Sequence, residues 1–218
     1  MMTNLFSTFD PCTGYLSLNW LSTIIMFILV PYKYWVVTNK TSMMINKIIK
    51  ILHLEMSLIM PYKGTTLMMM TMFLMIIYNN MMGLMPYIFT SSSHLIFSLS
   101  LALPMWLSFM IYGWFNKTNM MFSHLVPVGT PGILMPFMVL IETISNLIRP
   151  GSLAVRLTAN MIAGHLLMSL LGSNSITSFS LLIMTMLIFM LLMMFELAVA
   201  IIQSYVFMTL TTLYSSEI

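Results

Sequence analysis

Charged side chains are the scarcest feature of this sequence. Only 6% of its 218 residues are charged, while 60% are hydrophobic. A soluble domain carries about 25% charged residues, so this scarcity excludes an ordinary soluble protein. Apolar runs close to the roughly 20 residues that cross a bilayer recur along the chain. The composition therefore predicts an all-α membrane protein, because a transmembrane barrel would show short alternating segments instead.

Cysteine is almost absent, and so is any glycine-rich loop that could hold a phosphate. The single Cys12 excludes an internal disulfide and a cysteine-only metal site. Without a phosphate-binding loop, the chain is not expected to bind nucleotide directly or to be an enzyme. Many of the 29 methionines stand where leucine or isoleucine would serve equally well, and thioethers alone are poor grounds for a metal site. We expect no cofactor, no metal and no nucleic-acid partner.

Hydrophobic runs divide the chain into five predicted membrane crossings and one surface helix within a single membrane domain. Residues 41–60 carry lysines among apolar residues at helical spacing, which predicts an amphipathic helix on the membrane surface. The last two runs would reach about 58 and 54 Å as helices, although the hydrocarbon core is only about 30 Å thick. Residues 178–213 contain no proline, so we expect these runs to form a tilted helical hairpin that turns at residues 172–175. The predicted crossings are residues 15–31, 67–88 and 95–115 and the hairpin helices 133–171 and 178–213.

Positive charge is concentrated between the first two predicted crossings. Because short basic loops stay on the side where the chain is made, this segment is predicted to lie inside. With five crossings, the N-terminus then lies outside and the C-terminus inside. Five of the eight Lys and Arg residues form this segment, namely Lys33, Lys40, Lys47, Lys50 and Lys63.

Arg156 stands in the middle of an apolar run and has no acidic residue one helical turn away. An arginine at the centre of a bilayer costs roughly 3 kcal/mol on insertion scales, and its guanidinium stays protonated at any accessible pH. The counter-charge is therefore expected from another helix or another chain. The nearby Arg149, beside Pro150, is interpreted as an interfacial anchor.

The other polar residues of the two long segments fall into groups at three depths. Histidine and carboxylates exchange protons near neutral pH, whereas arginine does not. The outer and inner groups therefore suit proton relay, and the central group suits a barrier between two aqueous access routes. The outer group is His165 and Glu196, the central group is Arg156, Asn160 and Gln203, and the inner group is Glu142 and Glu217.

Other interpretations of these polar residues stay open. An isolated Glu or His in a membrane helix also serves to hydrogen-bond a neighbouring helix. A self-contained cation transporter would need repeats or discontinuous helices around a midplane site, usually with an acidic ion ligand in the same chain. A non-transporting scaffold of a respiratory complex would leave Arg156 unexplained.

Five segments carry a family resemblance: IETISNLIRPGSLAVRLTANMIAGHLL, ELAVAIIQSYVFMTLTTLYSSE, NNMMGLMPYIFT, LALPMWLSFMIYGW and NLFSTFDP. Together they resemble subunit a of the F-type ATP synthase in its animal mitochondrial form. The likeness covers nearly the whole chain and is weakest over residues 36–66 and 173–192.

The resemblance implies a stator subunit of the membrane sector that turns transmembrane proton flow into the rotation driving ATP synthesis. The implied partners are a c-ring bearing lipid-facing carboxylates, other membrane-sector and peripheral-stalk subunits, and membrane lipids, with protons as the transported ion. The implied location is the mitochondrial inner membrane, with the N-terminus in the intermembrane space and the C-terminus in the matrix. By the same likeness, Arg156 faces the c-ring carboxylate beside Asn160 and Gln203, His165 and Glu196 line the intermembrane-space half-channel, and Glu142 and Glu217 line the matrix half-channel.

Overall fold

All regular structure in the described part of the chain is helical. The computed structural model describes residues 5–12, 16–30, 35–60, 62, 64–126, 129–174 and 179–216. Its α-helices are α1 (Ser22–Leu29), α2 (Lys40–Ile59), α3 (Thr65–Gly83), α4 (Leu95–Asn116), α5 (Thr118–His124), α6 (Met135–Asn174) and α7 (Phe179–Ser216). Short 3-10 helices cover Leu5–Phe9, Leu18–Leu21 and Ser91–Ser93.

Four of these helices are long and apolar enough to cross a membrane, namely α3, α4 and most of α6 and α7. The predicted class, an all-α membrane protein, is confirmed. Within the predicted first crossing, residues 15–31, α1 has eight residues and follows the 3-10 helix Leu18–Leu21. Eight helical residues rise about 12 Å, less than half of a hydrocarbon core of about 30 Å. The count of five crossings therefore stays a prediction.

The two longest helices, α6 and α7, contain 40 and 38 residues. At 1.5 Å per residue they extend about 60 and 57 Å, nearly twice the hydrocarbon thickness. α6 continues through Pro150, although proline has no amide N–H and leaves the carbonyl of Asn146 without its usual helical donor. Its last residue, Asn174, falls within the predicted turn at residues 172–175, and residues 175–178 lie outside the described part of the chain.

One stripe of α6 packs into the protein, mainly against α4 and α7. Apolar burial gives little driving force between helices in lipid, so close van der Waals packing and interhelical hydrogen bonds hold such a bundle together. Small Ala154 sits at this contact fully buried, beside Leu153 and Leu157. The cluster around them contains Ile76, Phe97, Leu101, Ala102, Leu153, Ala154, Leu157 and Phe207.

A second cluster fixes α2 against α3, α4 and α7. All of its buried residues except Phe73 are methionines, whose flexible thioether side chains fill irregular gaps. The opposite face of α2 exposes Met44 and Ile48 together with Lys47 and Lys50. The methionines of the cluster are Met56, Met60, Met69, Met70, Met105 and Met208.

Candidate functional site

Arg156 lies near the middle of α6, and its side chain is exposed. The buried stripe of α6 lies on a different side of the helix and includes Leu153 and Leu157, which are 3% and 0% exposed. Arg156 forms no ion pair and no hydrogen bond with any described residue. The ion pair of α6 instead joins Arg149 to Glu142. The guanidinium of Arg156 is therefore available to a group from outside the described residues.

Small side chains surround Arg156 on the exposed stripe of α6. Ser152, Ala159 and Ala163 are all exposed and lie within about 60° of Arg156 in helical projection. Small residues let another helix approach the backbone closely. This stripe can therefore receive a neighbouring helix in direct contact with the guanidinium.

Asn160 and Gln203, the other predicted members of the central group, meet directly. The Asn160 amide donates a hydrogen bond over 3.0 Å to the side-chain oxygen of Gln203 and so joins α6 to α7. Asn160 follows Arg156 by four residues, one helical turn. Gln203 is only 6% exposed, and its Nε2 is buried without a partner among the described residues. A water or a group from another chain would satisfy this donor.

Glu196 and His165, the predicted outer group, lie against the same turn of α6. Glu196 is 7% exposed, and its carboxylate packs so closely on Gly164 that a Cβ at position 164 would overlap it. The next residue, His165, buries its Nε2 without a partner among the described residues. Buried polar groups normally hydrogen-bond to protein or water, so water is a suitable partner for His165 Nε2. This end of α6 therefore combines two ionisable groups with a place for water, which is what proton transfer needs.

The N-terminal 3-10 helix packs over His165, a contact that the sequence did not predict. The ring of Phe9 meets the His165 imidazole edge-on, with centroids 6.2 Å apart. The carbonyl of Phe9 accepts a hydrogen bond over 2.9 Å from His94 Nε2. His94 also contacts the rings of Trp20 and Phe89 at 5.3 and 5.2 Å. The first described residues thus form one side of the site.

Glu142, from the predicted inner group, lies at the opposite end of α6. Its Oε1 is 3.4 Å from Nη2 of Arg149, whose guanidinium stands over the ring of Tyr214 at 5.0 Å. These three residues line a cavity of about 540 Å³ between α4, α5, α6 and α7. The other predicted member, Glu217, lies outside the described part of the chain. The remaining lining includes His124, Thr143 and Asn146 together with Trp106, Phe109 and Trp114.

Apolar packing separates the two polar ends. Glu142 and His165 are 23 residues apart, which is about 35 Å along α6. Between them, Leu153, Leu157 and Phe207 are buried in the main cluster at the level of Arg156. The described residues therefore place ionisable groups at two ends of a helix and a single unpaired cation between them.

Comparison with known proteins gives a consistent answer over the whole chain. The family described as ATP synthase A chain matches residues 16–216. The ATP synthase subunit a of Anopheles gambiae is 56% identical over 225 residues, and that of Drosophila melanogaster is 56% identical over 224 residues. Both alignments cover 100% of this chain and 100% of the relative. The resemblance seen in the sequence motifs is confirmed, and the chain belongs to the ATP synthase A chain family as a subunit a of the F-type ATP synthase.

Proposed function

We propose that this chain is the stator half of a proton-driven rotary motor, in which Arg156 faces a carboxylate of the c-ring. The observation that carries the proposal is the exposed guanidinium of Arg156, unpaired among the described residues in the middle of an apolar helix. A buried or lipid-facing charge needs a partner. A carboxylate on a rotating neighbour would supply that partner without fixing it permanently.

Family membership establishes the general role on which this proposal builds. The chain is a membrane-sector subunit of mitochondrial ATP synthase that takes part in proton transport and ATP synthesis, and it is not the nucleotide-binding catalytic subunit. Its apolar helices suit a multi-pass protein of the mitochondrial inner membrane. The neighbours we propose are the c-ring at the Arg156 stripe, with other membrane-sector and peripheral-stalk subunits and lipids elsewhere on the surface.

Proton uptake is assigned to the end of α6 where His165 and Glu196 lie. Both groups are able to carry protons, and the unpartnered Nε2 of His165 calls for water in its surroundings. We place this half-channel on the intermembrane-space side. The orientation is supported by the exposed Lys40, Lys47 and Lys50 on α2, because basic segments between crossings favour the matrix, where the chain is made.

Proton release is assigned to the cavity that Glu142 lines. Its volume of about 540 Å³ has room for many water molecules, each of which takes about 30 Å³ in the liquid. We propose that Glu142 receives protons from the c-ring and passes them through this cavity to the matrix. Glu217 is proposed to join the same exit, because it follows Tyr214 by three positions in the sequence and Tyr214 lines the cavity.

The proposed cycle follows from electrostatics. A c-ring carboxylate beside Arg156 is favoured as the anion, because a nearby positive charge stabilises it. It gives its proton to the Glu142 exit, passes Arg156, and takes a new proton from the His165 and Glu196 side. Neutral again, it re-enters lipid at low cost. One charge crossing 100 mV releases about 2.3 kcal/mol, so several protons must drive each ATP made elsewhere in the complex.

The proposed topology has five crossings, with α6 and α7 as a tilted hairpin against the c-ring. The lengths of these two helices support a strong tilt, because about 60 Å of helix exceeds the hydrocarbon core twofold. The N-terminus would lie in the intermembrane space and the C-terminus in the matrix.

Cross-linking tests the proposed c-ring contact. In a chain with Cys12→Ser, a cysteine placed at Ala159 should form a disulfide with a cysteine placed next to the c-ring carboxylate. Thr158→Cys is the matched control, because Thr158 is the adjacent residue and is 3% exposed in the packed stripe. Cross-links from position 159 and not from 158 support the proposal, whereas equal yields or none from position 159 contradict it.

A further inference from the structure

A second arginine, Arg149, lies on the same stripe of α6 as Arg156 and has no role in the proposed cycle. The two are seven residues apart, which is two helical turns and a rotation of only about 20°. Two uncompensated cations near the face proposed to meet the c-ring would each hold a passing carboxylate. Arg149 differs from Arg156 because it has an anionic partner among the described residues.

Arg149 is held from two directions. Its Nη2 lies 3.4 Å from Oε1 of Glu142, two turns earlier on the same helix, and its guanidinium stands 5.0 Å over the ring of Tyr214 on α7. The side chains of Arg149 and Glu142 are 26% and 34% exposed, so both are partly buried. Because seven residues span about 10 Å, the pair forms only when both long side chains extend towards each other. The platform on Tyr214 favours that conformation of the arginine.

These three residues share one wall of the cavity assigned to proton release. The other titratable group on its lining is His124 from α5, and the α4 side chains that face it, including Trp106, Phe109 and Trp114, carry no charge. The Glu142 carboxylate is therefore the cavity's acidic group among the described residues, and Arg149 is its one cationic neighbour there.

We propose that Arg149 is a positioning residue for proton release, which holds the Glu142 carboxylate at the cavity wall while Tyr214 holds Arg149. The inference rests on the proposed function, because it assigns Glu142 to the exit route. Pairing also compensates the charge of Arg149, so that a carboxylate leaving Arg156 meets no second uncompensated cation. Tyr214 contributes the face of its ring, and its hydroxyl is not required.

A double-mutant cycle separates positioning from a merely structural role. Arg149→Gln is compared with wild type and, in a second background, with Glu142→Gln, using ATP synthesis by reconstituted holoenzyme at matched assembly levels. We expect Arg149→Gln to slow synthesis about threefold when Glu142 is present, as for loss of a partly exposed ion pair. In the Glu142→Gln background the same change should not slow synthesis, because Arg149 has already lost its partner there and is itself an uncompensated cation. Equal slowing in both backgrounds, or no slowing in either, overturns the proposal.

Conservative variants and a charge control complete the test. Arg149→Lys keeps the charge and should recover part of the rate lost in Arg149→Gln. Tyr214→Phe keeps the ring face and should make ATP faster than Tyr214→Leu, which should slow synthesis as much as Arg149→Gln. Lys117→Gln removes one positive charge outside the cavity lining and should leave the rate unchanged. A normal rate in Tyr214→Leu, or no recovery in Arg149→Lys, contradicts the assignment.

Failure of this inference is distinguishable from failure of the proposed function. If Arg149 does not act through Glu142, the cycle is additive while the Arg156 variants still lose synthesis. If the proposed function itself is wrong, the Arg156 variants keep synthesis whatever the cycle shows.

Discussion

The side-chain amide of Asn160 donates a hydrogen bond over 3.0 Å to Gln203 and joins the two longest helices one turn after Arg156. The bond crosses between α6 and α7 where the main apolar cluster is packed, with Leu157 and Phe207 close in sequence to its two partners. It therefore sets the separation of the two helices at the level of the proposed barrier.

This bond predicts coupled effects of two substitutions. Asn160→Leu and Gln203→Leu should each slow ATP synthesis roughly threefold, the factor that corresponds to an average interhelical hydrogen bond in a membrane protein. The double variant should be scarcely slower than either single variant, because the bond is lost only once. The measurement is the rate of ATP synthesis in reconstituted vesicles at matched assembly levels. If the losses of the two single variants multiply in the double variant, the two residues act separately.

Gly164 predicts a steric test of the outer group. Gly164→Ala places a methyl group where the Glu196 carboxylate lies, so the carboxylate must move. Overpacking of this kind costs typically 1–3 kcal/mol, and we expect proton flux to fall at least about fivefold. Gly151→Ala is the control, because a Cβ at that position of the same helix meets no atom of the described residues within 4 Å. Equal flux in the two variants would show that the position of Glu196 does not matter.

Glu196→Gln tests whether this residue gives access or forms the barrier. The amide keeps the shape of the side chain and cannot carry a proton through the same cycle, so coupled proton flux should slow. Passive leakage should stay at the wild-type level, because Arg156 remains in place. Measured proton permeability well above wild type would place Glu196 in the barrier and remove it from the access route.

The sequence predicted the membrane class and the long apolar helices. These follow from local rules: run length predicts α3, α4, α6 and α7, and helical spacing puts Asn160 one turn from Arg156. Spacing alone could not show that Asn160 bonds Gln203, because that contact joins positions 43 residues apart.

Contacts between distant segments account for what the sequence did not predict. His94 precedes α4 with no local pattern that predicts a partner, and it is part-buried and bonded to Phe9, 85 positions away. Arg149 was interpreted as an interfacial anchor, and its position over Tyr214 depends on how α7 packs on α6. Composition also could not show that the regular helix within residues 15–31 is as short as Ser22–Leu29.

Topology is tested by labelling. Cys12 is exposed and, in the proposed orientation, faces the intermembrane space. An impermeant thiol reagent should label it in intact mitoplasts. In a chain with Cys12→Ser, a cysteine at Ser57 on the exposed face of α2 should be labelled only after the membrane is permeabilised. The reverse pattern would invert the proposed orientation.

The central claim is that a fixed positive charge at position 156 couples proton flow to rotation. ATP synthesis and passive proton flux, measured in vesicles that contain Arg156→Ala or Arg156→Lys at matched assembly levels, test it most directly. Lysine keeps a charge but replaces a planar guanidinium with a compact ammonium that loses its proton more readily when desolvated, so it should also fail to support synthesis. We predict that the alanine variant assembles and makes no ATP, with protons able to leak without rotation. Near-normal coupled synthesis by the alanine variant would contradict the account, because a neutral side chain would then suffice.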